Sequence, residues 1–362
     1  MKVPQFVPFI DSAEYLAIKD CFESKWITEG PKAKEFNKKL CKLLGSKYGV
    51  FAPNGTLALY LGLRAIGIGA DDEVIVPDST FIASANAVEM VGAKPVFVDV
   101  KKEDFQISVE DCHRVLSQKT KAIMPVHLYG MAANMTEVMR FASDHNLMVI
   151  EDAAQSLAVT WQDQLCGTFG DIGCFSFFAD KTITVGEGGF VVTNNETIYE
   201  KLLYLRNQGR IERGTFIHPK IGYNFRITDI QAAVGLVQLQ RLKEIVARKK
   251  AVLEIYQEEL DSVKEVRFLL PHSDSGYIPF RVVILCEKAH ELMDYLSDKE
   301  IEPRTFFYPL HQQPYYKYLK SDDKYFPNAI YGYDHGICLP SFPALTLSQI
   351  VYVRNAIKNF YR

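Results

Sequence analysis

The chain has 362 residues, 48% of them hydrophobic and 23% charged, and a formal net charge of −3. That length suffices for about two domains with a sizeable core, and the near-neutral balance excludes a strong field toward nucleic acid or an anionic membrane surface. Apolar runs stop well short of a spanning length, Pro4, Pro8 and Asp11 interrupt any signal-peptide core, and the seven cysteines form no CxxC pair; a cytoplasmic protein with reduced thiols and no metal site is expected.

In chain order, the elements begin with a short strand over Tyr48–Ala52 and a helix over Leu57–Ile66. A strand at Glu73–Pro77 and a helix at Ala83–Val91 follow, then Pro95–Val98 as strand and Val109–Leu116 as helix. Lys121–Val126 reads as strand, Thr136–His145 as helix and Leu147–Glu151 as strand. Short β-rich runs alternating with amphipathic helices predict an α/β fold with a mainly parallel sheet covered on both faces. Further strands are expected near Cys174–Phe177 and Phe190–Thr193, then a long helical pattern from about Thr228 to Leu260. Beyond it the rhythm changes: Tyr277–Leu285 strand, Lys288–Lys299 helix, Pro303–Phe307 strand and Leu347–Tyr361 helix. A domain boundary near residue 250 divides a large domain, 1–250, from a smaller α+β domain, 251–362.

Three constellations carry chemistry. Pro53-Asn54-Gly55-Thr56 lies between a strand and a helix, where unpaired N–H groups and the positive end of the helix dipole suit a phosphate. Alone, such a turn is more often an ordinary N-cap. Asp152, in Glu151-Asp152-Ala153-Ala154-Gln155, stands at the carboxyl end of a predicted parallel strand, the end at which open α/β sheets bind ligands. A carboxylate there suits a pyridinium nitrogen; the other reading is a cap on the next helix. Lys181 follows Phe175-Ser176-Phe177-Phe178-Ala179-Asp180 and precedes a turn containing Gly186-Glu187-Gly188-Gly189. Apolar surroundings disfavour the ammonium form, and a neutral amine forms imines; a lone lysine before such a turn is otherwise a solvated one. Gly-Glu-Gly-Gly lacks the strand and helix setting of a dinucleotide fingerprint, which argues against a nucleotide-binding oxidoreductase. Phosphate turn, acid at a strand end, then lysine is the order that a domain binding pyridoxal 5′-phosphate (PLP) needs.

With these residues in view, the sequence resembles the DegT/DnrJ/EryC1/StrS aminotransferases over nearly its whole length. Trp26 to Pro31 is similar to the family's W-x-x-x-G-P element, and Asn54 to Leu59 to its S/N-G-T-x-A-L turn. The blocks at 72–88, 92–99, 119–130, 149–156, 181–194 and 222–239, and Tyr308-Pro309-Leu310-His311, match as well. The resemblance implies the PLP-dependent transferase fold type I: a large domain with a mainly parallel seven-stranded sheet and a smaller C-terminal α+β domain. It implies Lys181 as the Schiff-base lysine and proton shuttle, Asp152 on the pyridine nitrogen, and Gln155 on the phenolic oxygen. Gly55, Thr56 and Ser176 would hold the phosphate and Phe81 would stack on the ring. Asn224 would reach the phosphate of the neighbouring subunit's cofactor, hence a homodimer with shared active sites. His311 is a candidate for substrate contact, whereas His127 and His218 read as structural. Dehydratase relatives carry histidine in place of the lysine, so transamination is implied.

Within the family, Ser176 to Gly189 and Arg304 to Tyr316 look most like GDP-perosamine synthases. The expected reaction moves an amino group from L-glutamate to C4 of a GDP-linked 4-keto-6-deoxyhexose, for polysaccharide or O-antigen assembly. A dTDP- or UDP-linked sugar, amination at C3, and a non-catalytic PLP-binding regulator are the alternatives. Ala179-Asp180 departs from the Gly-Asn common in perosamine synthases, as do the segments 215–220 and 276–279.

Overall fold

The computed structural model describes residues 1–210 and 216–362, so that Thr215, first residue of one departing segment, lies outside the described residues. In chain order the strands are β1 (Tyr48–Ala52), β2 (Glu73–Pro77), β3 (Lys94–Val98), β4 (Thr120–Ile123), β5 (Met148–Asp152), β6 (Thr160–Trp161) and β7 (Gln164–Leu165). They continue with β8 (Ile172–Ser176), β9 (Gly189–Thr193), β10 (Arg267–Phe268), β11 (Ser275–Gly276), β12 (Val282–Leu285), β13 (Arg304–Thr305) and β14 (Gly336–Leu339). The central sheet has the order β1-β9-β8-β5-β4-β2-β3. Only β9, between β1 and β8, runs antiparallel; every other neighbour pair is parallel. This is the seven-stranded, mainly parallel sheet of the expected fold. Its strands are near-continuous apolar runs because helices cover both faces: in β2, Val74 to Pro77 are all buried.

The C-terminal sheet, β10-β12-β14-β13, is antiparallel. The strand expected over Tyr277–Leu285 begins only at Val282, since Tyr277 to Arg281 leave the sheet: Ile278 and Phe280 donate instead to the carbonyls of Gly130 and Tyr129. The long pattern from Thr228 to Leu260 is two helices, Asp229–Gln240 and Leu242–Leu260, broken at Arg241 (φ −89°, ψ 0°). No Pro or Gly marks the break. Arg241 is held by Asp11, Glu14 and Glu244, a tertiary arrangement no local pattern reveals.

The expected boundary near residue 250 falls inside helix Leu242–Leu260. Its first half, with Leu242 and Ile245, packs in the core of Phe36 and Phe190, and its second half, with Val252 and Tyr256, in that of Ile284 and Leu339. The N-terminal residues, counted with the large domain from the sequence, join the C-terminal core: Val3 bridges Ile301, and Gln5 donates to the Leu339 carbonyl. No helix is long and apolar enough among the described residues to cross a membrane.

Two helices went unread near the N-terminus, Ser12–Glu23 and Pro31–Leu44, although Asp11 and Glu14 form a capping box and Pro31 occupies the first helical turn. Both pack on helix Asp229–Gln240. The buried carboxylate of Asp229 accepts from the backbone N–H groups of Gly30, Lys32 and Ala33 at 2.7, 3.1 and 3.0 Å. It closes the start of helix Pro31–Leu44 from another helix. Replacing it by alanine strands three donors, so Asp229→Ala is expected to lower stability by about 3 kcal/mol, read as a fall in the urea midpoint at unchanged slope.

Candidate active site

The carboxyl ends of the central strands converge on one cleft of ≈ 580 Å³. Seven of the nine residues singled out from the sequence line it: Gly55, Thr56, Phe81, Asp152, Gln155, Ser176 and Lys181. They come from the ends of β1, β2, β5 and β8 and from the loop between β8 and β9.

Helix Gly55–Ile66 starts at the end of β1. Asn54 caps it, accepting from Leu57 N–H at 2.9 Å, which leaves the N–H groups of Gly55 and Thr56 without intrahelical partners. A Cβ on Gly55 would stand 2.9 Å from the Ser176 Cβ, so only glycine lets the helix start meet the end of β8. Gly189 has the same role one strand across, since a Cβ there would lie 2.2 Å from the Asn54 carbonyl oxygen.

Asp152 closes β5. Ser84 donates to its Oδ2 at 2.7 Å and the Ala154 N–H to its Oδ1 at 3.1 Å. Burial pushes its carboxyl above the usual range, while the Ser84 and Ala154 hydrogen bonds and the charge of Lys181 pull it back. Such a carboxyl gains most from a cationic partner. Gln155 accepts the Tyr129 N–H at 2.8 Å through Oε1, leaving its NH2 end for a ligand oxygen. Phe81 is 56% exposed at the cleft wall, edge-on to Phe307 at 6.2 Å.

Lys181 sits in a loop tied across its base. Phe177 N–H donates to the Gly188 carbonyl, Val185 N–H to the Phe177 carbonyl, and Thr184 Oγ1 to the same carbonyl. Phe177, Ile183 and Val185 anchor the loop in the core. The Lys181 Nζ lies 4.3 Å from the Phe280 ring centroid and 3.7 Å from Asp180 Oδ1, and its side chain is 15% exposed. Burial lowers its pKa, Asp180 and Asp152 work against that, and Arg281 reinforces it. Arg281, which sequence reasoning missed, is ion-paired to Asp180 and, with Arg304 and Phe280, brings the C-terminal domain to the cleft. No local signal marks it, since the pair spans 101 positions.

Two expected site residues stand elsewhere. Asn224 is exposed, bridged to Asn207, and does not line this cleft. His311, the candidate for substrate contact, is outside the lining: it is buried, with Nδ1 on Asp78 at 2.7 Å, Nε2 on Asp323 at 3.0 Å, and its ring stacked on Phe326. Burial disfavours its charged form, but the carboxylates of Asp78 and Asp323 outweigh that and raise its pKa. His127 is a buried strut between the Ala133 N–H on Nδ1 and Glu151 on Nε2. His218 meets the Gln208 carbonyl at the surface.

A helix start with open N–H groups, a cradle closed to any Cβ, a buried carboxyl and a desolvated amine in one cleft fit the phosphate, ring nitrogen and aldehyde of PLP. Comparison with known proteins agrees. Residues 8–358 match the DegT/DnrJ/EryC1/StrS aminotransferase family. The GDP-perosamine synthase of Escherichia coli O157:H7 is 40% identical over 99% of this chain and 98% of its own, and that of Vibrio cholerae 37% identical over 99% of both. Among solved structures, S. venezuelae DesV in complex with a ketimine intermediate superposes with a TM-score of 0.92 at 29% identity, covering 99% of this chain and 98% of its own.

Ser84→Ala is expected to weaken PLP binding by about tenfold, or ~1.4 kcal/mol, in a fluorescence titration of the cofactor-free protein; unchanged affinity would mean that Asp152 is oriented without Ser84. His311 makes a separate prediction. Its contribution to stability is complete below its ordinary value of 6.5 and is lost as pH rises through the raised folded value. The wild type is therefore expected to lose urea resistance as pH rises above 6.5 through the raised value, and His311→Gln should flatten that loss.

Proposed function

Because the chain belongs to the DegT/DnrJ/EryC1/StrS aminotransferase family, whose members are PLP-dependent sugar aminotransferases, we propose that it moves an amino group from L-glutamate to the 4-keto carbon of a GDP-linked 4-keto-6-deoxyhexose. The observation that carries the reading is the meeting of Lys181, Asp152 and the Gly55 helix start in one cleft. The GDP-linked substrate is supported by the likeness to the two GDP-perosamine synthases.

PLP, when bound, supplies an electron sink next to the reacting carbon. The Gly55 and Thr56 N–H groups and the Ser176 hydroxyl hold its phosphate. Asp152 holds the pyridine nitrogen protonated, with Ser84 keeping its carboxylate in line. Gln155 offers its NH2 to the phenolic oxygen, and Phe81 covers the ring. Lys181 Nζ would hold the cofactor, and its free amine would take and return the proton at the substrate carbon. Phe6, Phe280 and Phe307 wall the cleft and exclude water. Asn224 serves the neighbouring subunit's phosphate, so the working unit is a homodimer with shared sites. The seven free thiols support a cytoplasmic location.

L-Glutamate added to the purified protein should convert the visible band of bound PLP to that of the pyridoxamine form; a PLP band that ignores glutamate refutes the donor. Turnover should be highest with the GDP-linked keto sugar among GDP-, UDP- and dTDP-linked ones. Lys181→Ala should lower turnover by at least about a thousandfold, and substantial remaining activity would sink the assignment.

A further inference from the structure

A small void of ≈ 10 Å³, room for about one water, shares Phe6, Asp180 and Lys181 with the cleft. Its polar walls include Thr184, Gln238, Ser341 and a second lysine, Lys249. Lys249 projects from helix Leu242–Leu260 and is 2% exposed. No hydrogen bond or ion pair of its amine occurs among the described residues. A buried ammonium without a counter-ion is costly. Nearby, Asp180 gives Oδ2 to Arg281 while its Oδ1 accepts no hydrogen bond and stands 3.7 Å from the Lys181 Nζ. Arg281 Nη1 and Ser341 Oγ are buried without partners too. One carboxylate thus meets two basic groups, Arg281 and Lys181, and shares the wall of the void with a third, Lys249.

We propose that Asp180, Arg281 and Lys249 form a charged cluster that positions the Lys181 amine, Lys249 being a second buried amine that competes with Lys181 for Asp180. Sharing Asp180 with Arg281 and Lys249 leaves Lys181 a loose contact instead of a tight ion pair, so its amine is available to the cofactor. Burial, Arg281 and Lys181 bring Lys249 down to about 7, with Asp180 opposing. The groups that face Lys249 are Asp180 and Lys181 from the lysine loop and Arg281 from the segment before β12. Helix Asp229–Gln240 presents the neutral Gln238, whose amide also holds Glu14 at 2.7 Å. Residues 6–9 and 341–343 present no titratable side chain.

The inference rests on reading Lys181 as the cofactor lysine. The test is the pH at which the visible band of bound PLP changes in the holoenzyme, with fold checked by circular dichroism and melting. Lys249→Met removes a positive neighbour and should raise that pH by about one unit, and Asp180→Asn removes a negative one and should lower it by about as much. Lys249→Arg keeps the charge and should stay close to the wild type. Opposite shifts from two adjacent substitutions are not produced by mere loosening. A folded Lys249→Met protein with an unmoved band overturns the inference. If Lys249→Met does not fold, Asp180→Asn decides, and a band that does not move down overturns it. A band that survives in Lys181→Ala overturns the reading of Lys181 and this inference with it; a band lost there but unmoved in Lys249→Met overturns the inference alone.

Discussion

A carboxylate with no access to water organises this molecule. Glu151 is fully buried, and its two oxygens take the N–H groups of Gly167, Phe169 and Gly170 and the ring of His127, at 2.7, 2.7, 2.8 and 3.0 Å. Unpaired, such a charge would cost several kcal/mol; with four donors it ties β5 to the turn that enters β8 and to the loop that follows β4. Side chains alternate along a strand. Holding Glu151 on one face therefore sends its neighbour Asp152 to the other, where the cleft lies.

The rest of the cleft inherits that alignment. The turn into β8 sets where Ser176 ends, and Ser176 sets how closely the helix at Gly55 must approach. The C-terminal domain closes the remaining side with Phe280, Arg281 and Arg304, and Arg281 locks onto Asp180 beside the lysine. The seam between the two cores thus passes through the site. The N-terminal residues strap the same seam, with Val3 and Gln5 bound to the C-terminal sheet while Phe6 lines the cleft.

What was legible in the sequence is what local chemistry dictates. The strands and helices from Tyr48 to Glu151 follow from periodicity, and their order places Gly55 and Asp152 at strand ends and Lys181 in the loop after β8. What was not legible depends on partners far along the chain. Arg281 owes its place to Asp180, the break at Arg241 to Asp11 and Glu14, and the burial of His311 to Asp78, 233 positions away. The partners of Glu151 are equally distant from any local pattern: Gly167, Phe169, Gly170 and His127 meet it only in the folded chain. Helices Glu196–Arg206 and Pro327–His335 passed unread, the second because Gly332 and two tyrosines interrupt any apolar stripe.

The helix start at Gly55 has a consequence for how the two ends of the cleft divide their work. Its donors are backbone amides and hydroxyls, which carry no charge, whereas Lys181, on the same cleft, stands among ionisable groups. An anion seated on amide dipoles keeps its grip whatever the proton count a few ångströms away. The fold therefore separates a fixed anchor from a variable reactive end, so that acidity can be tuned at the amine without loosening what the anchor holds.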